Sequence, residues 1–195
     1  MNHYILLIAG VPATGKTTFA KIASERLAIP CLCKDEVKEF LWNGEINSPE
    51  EIRSNGAKAY NISFYFAEQL MKAGVSFVFE SNFRKAGEEI LGFLSRKYDF
   101  KVVTVHFDAE INVLHKRFLE RDNTSQRHQS LKSGGYYNDI KFFEENSIED
   151  RAFFVGEKIS VDTTDFHAVN YDEIINKINC LLSFEDGIER DKEAY

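Results

Sequence analysis

Cysteine and proline are scarce in this chain of 195 residues, at three each. Cys31, Cys33 and Cys180 are odd in number and sit at no metal-ligand spacing, which excludes a disulfide framework; they are expected as buried free thiols. Cys31 and Cys33 lie two apart in a predicted strand, so their sulfurs face the same way. No repeat and no low-complexity segment is present. No apolar run is long enough to span a bilayer. The one near the N-terminus has no basic region before Tyr4 and ends in a glycine loop instead of a cleavage site, so it reads neither as a signal peptide nor as a membrane partner, and a cytoplasmic location is expected. Basic residues are in deficit, with 24 Lys and Arg against 31 Asp and Glu and a net charge of -7. Outside residues 123–135 no basic tract with interleaved aromatics occurs, which disfavours a nucleic-acid partner.

What is present describes a globular protein: 44% hydrophobic and 13% aromatic residues. Its length predicts one domain over 1–184, burying about 70% of its unfolded surface, followed by a charged tail at 185–195.

The chain is organised around Gly10-Val11-Pro12-Ala13-Thr14-Gly15-Lys16-Thr17-Thr18. Before it, Tyr4 to Ala9 is almost wholly apolar, as in a strand buried on both faces of a parallel sheet. After it, Phe19, Ile22, Ala23 and Leu27 recur at helical spacing. Strand, glycine loop and helix are the context in which G-x-x-x-x-G-K-[ST] forms a P-loop. Gly10 and Gly15 permit backbone conformations that turn successive N–H groups inward, and with the helix N-terminus these surround a phosphate chain. Lys16 can then reach the outer phosphates, and Thr17 can offer its hydroxyl to Mg2+.

Further elements follow in order. Cys31 to Lys34 reads as a second strand, with Val37, Phe40 and Leu41 marking a brief helix that a turn at Trp42 to Glu45 ends. Ser48 caps a long helix to Lys72, which Gly74 stops. Strands are expected at Val75 to Glu80, Lys101 to Phe107 and Lys158 to Asp162. Helices are expected at Arg84 to Arg96, Glu110 to Asp122, about Asp139 to Asn146, and Tyr171 to Phe184. Within the long helix, Tyr60, Phe64, Tyr65 and Phe66 are read as core. The alternation requires right-handed crossovers, hence a three-layer α/β sandwich on a parallel sheet. Residues 123–135 lack apolar periodicity and end in two glycines, and are read as a mobile lid in which His128 is solvated.

A GTPase would need N-K-x-D, and Asn176-Lys177-Ile178-Asn179 lies mid-helix without the aspartate. A kinase needs an acceptor-activating carboxylate near the γ-phosphate and cations around the transferred group. Asp35 stands at the carboxyl edge of the sheet that holds the P-loop, and a capping role for it is poorly served by Lys38 three residues on. Arg117 and Arg121 are four apart on one helix face, a like-charge spacing that an anion would relieve. Arg121 and Arg127 are therefore candidates to bracket the γ-phosphate as the lid closes, with Arg117 in support.

The P-loop, Lys34-Asp35-Glu36-Val37-Lys38, Phe79-Glu80-Ser81-Asn82-Phe83, an arginine-rich lid and Val161-Asp162-Thr163-Thr164, taken in order, resemble the P-loop kinases grouped with bacteriophage polynucleotide kinase, zeta toxins and chloramphenicol phosphotransferase. The resemblance implies a five-stranded sheet of order 2-3-1-4-5, Asp35 as general base and Lys38 facing the acceptor. It also implies Glu80 beside the P-loop, holding Mg2+ through water, and Asp162 to Thr164 near the nucleotide base or capping a helix. The lid departs from the Arg-His-Pro-Gly of many relatives, since Arg127-His128 continues as Gln129-Ser130. The expectation is an ATP- and Mg2+-dependent phosphotransferase acting on a hydroxyl of a small molecule. A polynucleotide 5′-hydroxyl kinase and a regulatory ATPase without an acceptor are the alternatives.

Overall fold

The structure is a computed structural model that describes residues 3–42 and 48–183. Strands β1 (Tyr4–Gly10), β2 (Cys31–Cys33), β3 (Phe77–Glu80), β4 (Lys101–Asp108) and β5 (Glu157–Asp162) alternate with helices. These are α1 (Lys16–Leu27), α2 (Lys34–Phe40), α3 (Pro49–Lys72), α4 (Lys85–Tyr98), α5 (Ile111–Asp122), α6 (Ile140–Ala152) and α7 (Tyr171–Ser183). All strand pairings are parallel, in the order β2-β3-β1-β4-β5 that the family resemblance implies.

β1 lies at the centre because both of its faces are apolar: Ile5 to Ala9 are wholly buried. Ile5, Leu7 and Ala9 point into a core with Phe64, Ala67 and Met71 of α3 and Leu91 and Leu94 of α4. Leu6 and Ile8 point the other way, against Phe19, Ala20 and Ala23 of α1 and Ile174, Ile175 and Ile178 of α7. A third cluster joins Val11 of the glycine loop to Leu114 and Phe118 of α5 and Phe143 of α6, tying the loop to the helices above it.

α3 carries the predicted cap: the Ser48 hydroxyl accepts from Glu51 N, the Glu51 carboxylate accepts from Ser48 N at 2.7 Å, and Pro49 fills the first helical position. Gly74, at φ +66°, follows its last turn. Other expectations are corrected. β3 begins at Phe77, not Val75, and α2 begins at Lys34, directly on the end of β2. α6 runs six residues past the predicted end, to Ala152, because it turns polar Ser147 and Asp150 inward and leaves Ile148 61% exposed, so apolar periodicity does not announce it. Cys33 is buried, but Cys31 is half-buried and Cys180 exposed, two residues round α7 from buried Ile178. Phe64 is core and half-buried Tyr60 packs on that core, whereas Tyr65 and Phe66, 60% and 52% exposed, turn away from it. The expected turn at Asn43 to Glu45 and the tail at 185–195 lie outside the described residues. Among the described residues no helix is long and apolar enough to cross a membrane.

Candidate active site at the carboxyl edge of the sheet

At the exit of β1, Gly10 adopts φ +127°, and a Cβ there would fall 1.9 Å from the carbonyl oxygen of Phe107, so this position admits no side chain. Ala13 and Gly15 also have positive φ, at 68° and 84°. The Thr14 hydroxyl and the Lys16 ammonium both donate to the Val11 carbonyl, at 2.9 Å and 2.8 Å, which closes the loop on itself. α1 begins at Lys16 with no side-chain cap and no acid in its first turn, so its leading N–H groups are left for an anion. Thr17 is half-buried at this end and Thr18 exposed.

Two carboxylates stand beside the loop. Glu80, the last residue of β3 and 3% exposed, lies level with Ile8 of β1 and Cys33 of β2. Its Oε2 is 3.4 Å from the Thr17 hydroxyl. Burial pushes the Glu80 carboxyl up, against the pull of Lys16. Asp35 lies in the first turn of α2, whose N-cap is Cys33, so Asp35 is not the helix cap. The Lys34 ammonium is 2.6 Å from Asp35 Oδ1. Burial raises the pKa of Asp35, but Lys34, Arg127 and Lys16 outweigh it and hold the group at about 2. Burial lowers the pKa of Lys38, one turn on, and Lys34 and Arg127 lower it further, against the attraction of Asp35.

Arginines close the other side. Arg121 projects from α5, and burial, together with neighbouring Arg127, lowers its pKa to about 10, against the attraction of Asp35 and Glu80. The Nε–H groups of Arg121 and Arg127 are buried without a hydrogen-bond partner. Arg127 donates through Nη2 to the Leu131 carbonyl at 3.2 Å, within a segment pinned by Asp122, which accepts from the Ser133 hydroxyl at 2.7 Å. In this segment a 3-10 turn at Gln129–Leu131 packs against α2. His128 is held there, its Nδ1 2.8 Å from the Ser130 hydroxyl and its ring edge-on to Trp42, which corrects the solvated reading. A cleft of about 500 Å³ is lined by Glu39, Arg117, Arg121, Arg127 and His128.

Arg117 is engaged by a neighbouring loop. Its guanidinium donates to the carbonyls of Thr163 and Thr164 at 2.7 Å and 2.9 Å and stacks on Phe166 at 3.8 Å. Phe166 in turn lies 3.0 Å from where a Cβ on Gly15 would sit, so this loop borders the glycine loop. Asp162 accepts from Thr164 N in a local turn, and the helix caps expected nearby are Asp165 and Asn170 instead.

Sequence reasoning missed a third carboxylate. Asp150 of α6 is 6% exposed, and burial pushes it up to about 6 despite Lys16, Arg84 and Lys34 facing it. Arg84 ends the segment that leaves β3 and is the N-cap residue of α4. No sequence signal marks Asp150, which sits where a core residue of α6 belongs.

A parallel sheet in this order, a glycine loop opening onto α1, and cations converging on two carboxylates define a P-loop protein with the fold of the P-loop kinases. The chain belongs to the AAA domain family, whose pattern matches residues 5–134. It is 25% identical over 179 residues to L-seryl-tRNA(Sec) kinase of Methanococcus maripaludis, covering 89% of this chain and 64% of that protein, so it spans less than two thirds of that relative. A candidate kinase of Chloroflexus aurantiacus shares 26% identity and superimposes with a TM-score of 0.78, over 93% of this chain and 96% of that one. Shikimate kinase of Bacteroides thetaiotaomicron shares the fold, at 15% identity and a TM-score of 0.59 over 92% of this chain and 98% of that one.

Proposed function

We propose that the protein is an ATP-dependent phosphotransferase that moves the γ-phosphate to a hydroxyl of a small-molecule acceptor, within the P-loop kinases grouped with polynucleotide kinase, zeta toxins and chloramphenicol phosphotransferase. The observation that carries this reading is the ionised Asp35 on the sheet edge of the P-loop, faced by Lys16 and Arg127. An acceptor hydroxyl placed against Asp35 is oriented by it, and its proton passes to the carboxylate as the oxygen bonds to phosphorus and the bond to the leaving ADP oxygen breaks. A carboxylate held near 2 is a weak base toward an alcohol, so it serves first by orientation and takes the proton only as charge develops on that oxygen. Lys16 supports the β- and γ-phosphates, and the Nε–H of Arg121, buried without a hydrogen-bond partner, suits an oxygen of the transferred group, with Arg127 beside it and its own Nε 3.9 Å from Asp122 Oδ1. Thr17 would hold Mg2+ directly and Glu80 through water, the ion supplying charge neutralisation when bound, and Lys38 would face the acceptor.

The relatives named as kinases support the reaction class. The relative named for seryl-tRNA(Sec) favours a second reading, in which the accepting hydroxyl is carried by a nucleic acid, as it also would be in a polynucleotide 5′-hydroxyl kinase. The net charge of -7 supports the small acceptor instead. Incubation with γ-labelled ATP and a panel of nucleosides, sugars, aminoglycoside-like alcohols and a 5′-hydroxyl oligonucleotide tests this. Label on a small alcohol is the expected result. Label on the oligonucleotide alone, or on a serylated tRNA added to the panel, selects the second reading, and label found only in free phosphate with all of these makes the protein an ATPase without a dedicated acceptor.

A further inference from the structure

We infer that Cys33 is a positioning residue for the divalent-metal site, acting through Glu80; the inference rests on the phosphotransferase reading above. Cys33 and Glu80 are register partners on adjacent parallel strands, so their side chains leave the same face of the sheet side by side. That face is the one α1 covers, since Val78, two residues before Glu80, packs with Phe19, Ala20 and Ala23. The α1 end carrying Thr17 therefore comes to the same point. The Cys33 thiol donates to Glu80 Oε2 at 2.8 Å, both groups being almost fully buried, while the Thr17 hydroxyl is 3.4 Å from the same oxygen. The thiol is thus the nearest donor to that oxygen among the described residues, and the contact fixes it.

The thiol acts here as a hydrogen-bond donor to the carboxylate, not as a nucleophile or a metal ligand. A carboxylate that reaches a metal through water depends on such an outer contact for its orientation, and loss of outer contacts costs about 10–100-fold in metal affinity in known sites. A hydroxyl at position 33 would make the same bond; a methyl would not.

The test uses the full chain, Mn2+ as the probe and the β,γ-imido analogue of ATP, with Mn2+ binding read by electron paramagnetic resonance. Cys33→Ala is expected to weaken Mn2+ binding about tenfold or more, and Cys33→Ser to recover most of it. Affinity for the analogue in chelator should be unchanged in both. In a Glu80→Gln background Cys33→Ala should have little further effect, because the carboxylate it orients is gone. Cys33→Ala with Mn2+ affinity within about twofold of wild type, Cys33→Ser no better than Cys33→Ala, or a full additional loss in the Glu80→Gln background each overturns the inference. If the wild-type chain binds neither the analogue nor Mn2+ with it, the phosphotransferase reading falls, and this inference falls with it. Should Cys33→Ala not fold, the Cys33→Ser and Cys33→Val pair gives the same comparison.

Discussion

Lys16 is 5% exposed, and burial lowers its pKa against the attraction of Glu80, Asp150 and Asp35. A cation held in a dry site is worth more to phosphate than one in water. Lys16→Ala is therefore expected to keep its fold and lose at least about 10²-fold in phosphoryl transfer; circular dichroism with a turnover assay checks this, and unaltered turnover would defeat the P-loop assignment. Arg121 and Arg127 lie close enough to repel each other, and on the proposed reading an arriving phosphoryl group would relieve that repulsion. Alanine at either position should lower turnover far more than ATP affinity, measured by kcat against the Kd for ATP. A change in affinity alone would make them simple phosphate clamps.

At the scale of elements, the β1 exit and α6 make opposite demands on their residues. Gly10→Ala places a methyl group on the Phe107 carbonyl in a backbone conformation that alanine resists, and should destabilise by at least about 2 kcal/mol in chemical unfolding. In α6, Asp150 titrates near 6 when folded and near 3.8 when free, so the folded state binds more protons between those values. Stability therefore falls as pH rises through that window, and the cost is complete above about 6. Asp150→Asn should raise stability at pH 7.5 by up to about 3 kcal/mol, with the gain fading towards zero by pH 4; pH-dependent urea melts decide it. These two elements also mark what the sequence could reveal. The P-loop was legible because glycine spacing and the flanking apolar periodicities are local signals, and Asp35 because it follows a short strand at the same edge. Asp150 was not, because its burial is set by where α6 packs. Nor was the division of labour between Arg117 and Arg121: four residues apart on α5, one is claimed by the Thr163 and Thr164 carbonyls, a contact made only by the fold. The sheet order came from resemblance, since nothing local encodes which strand neighbours which.

Across the whole chain, excess acid and scattered bases favour the small acceptor proposed above. A net charge of -7 leaves little to hold a polyanion beyond the groups facing the phosphates. Transfer to a small alcohol should hardly change across a salt series, whereas binding of a single-stranded end would weaken with a log–log slope near -0.7 for each phosphate neutralised. A steep slope with the oligonucleotide preferred would transfer the activity to nucleic acid. The proposed phosphotransfer is tested by γ-phosphate transfer to the preferred acceptor by wild type and Asp35→Asn, compared at equal ATP occupancy and equal melting temperature. Asparagine keeps the shape and removes the charge, so with Asp35 as the proposed base a fall of about 10²–10⁴ in turnover is expected with ATP binding intact. An Asp35→Asn variant that transfers phosphate at the wild-type rate would contradict that role.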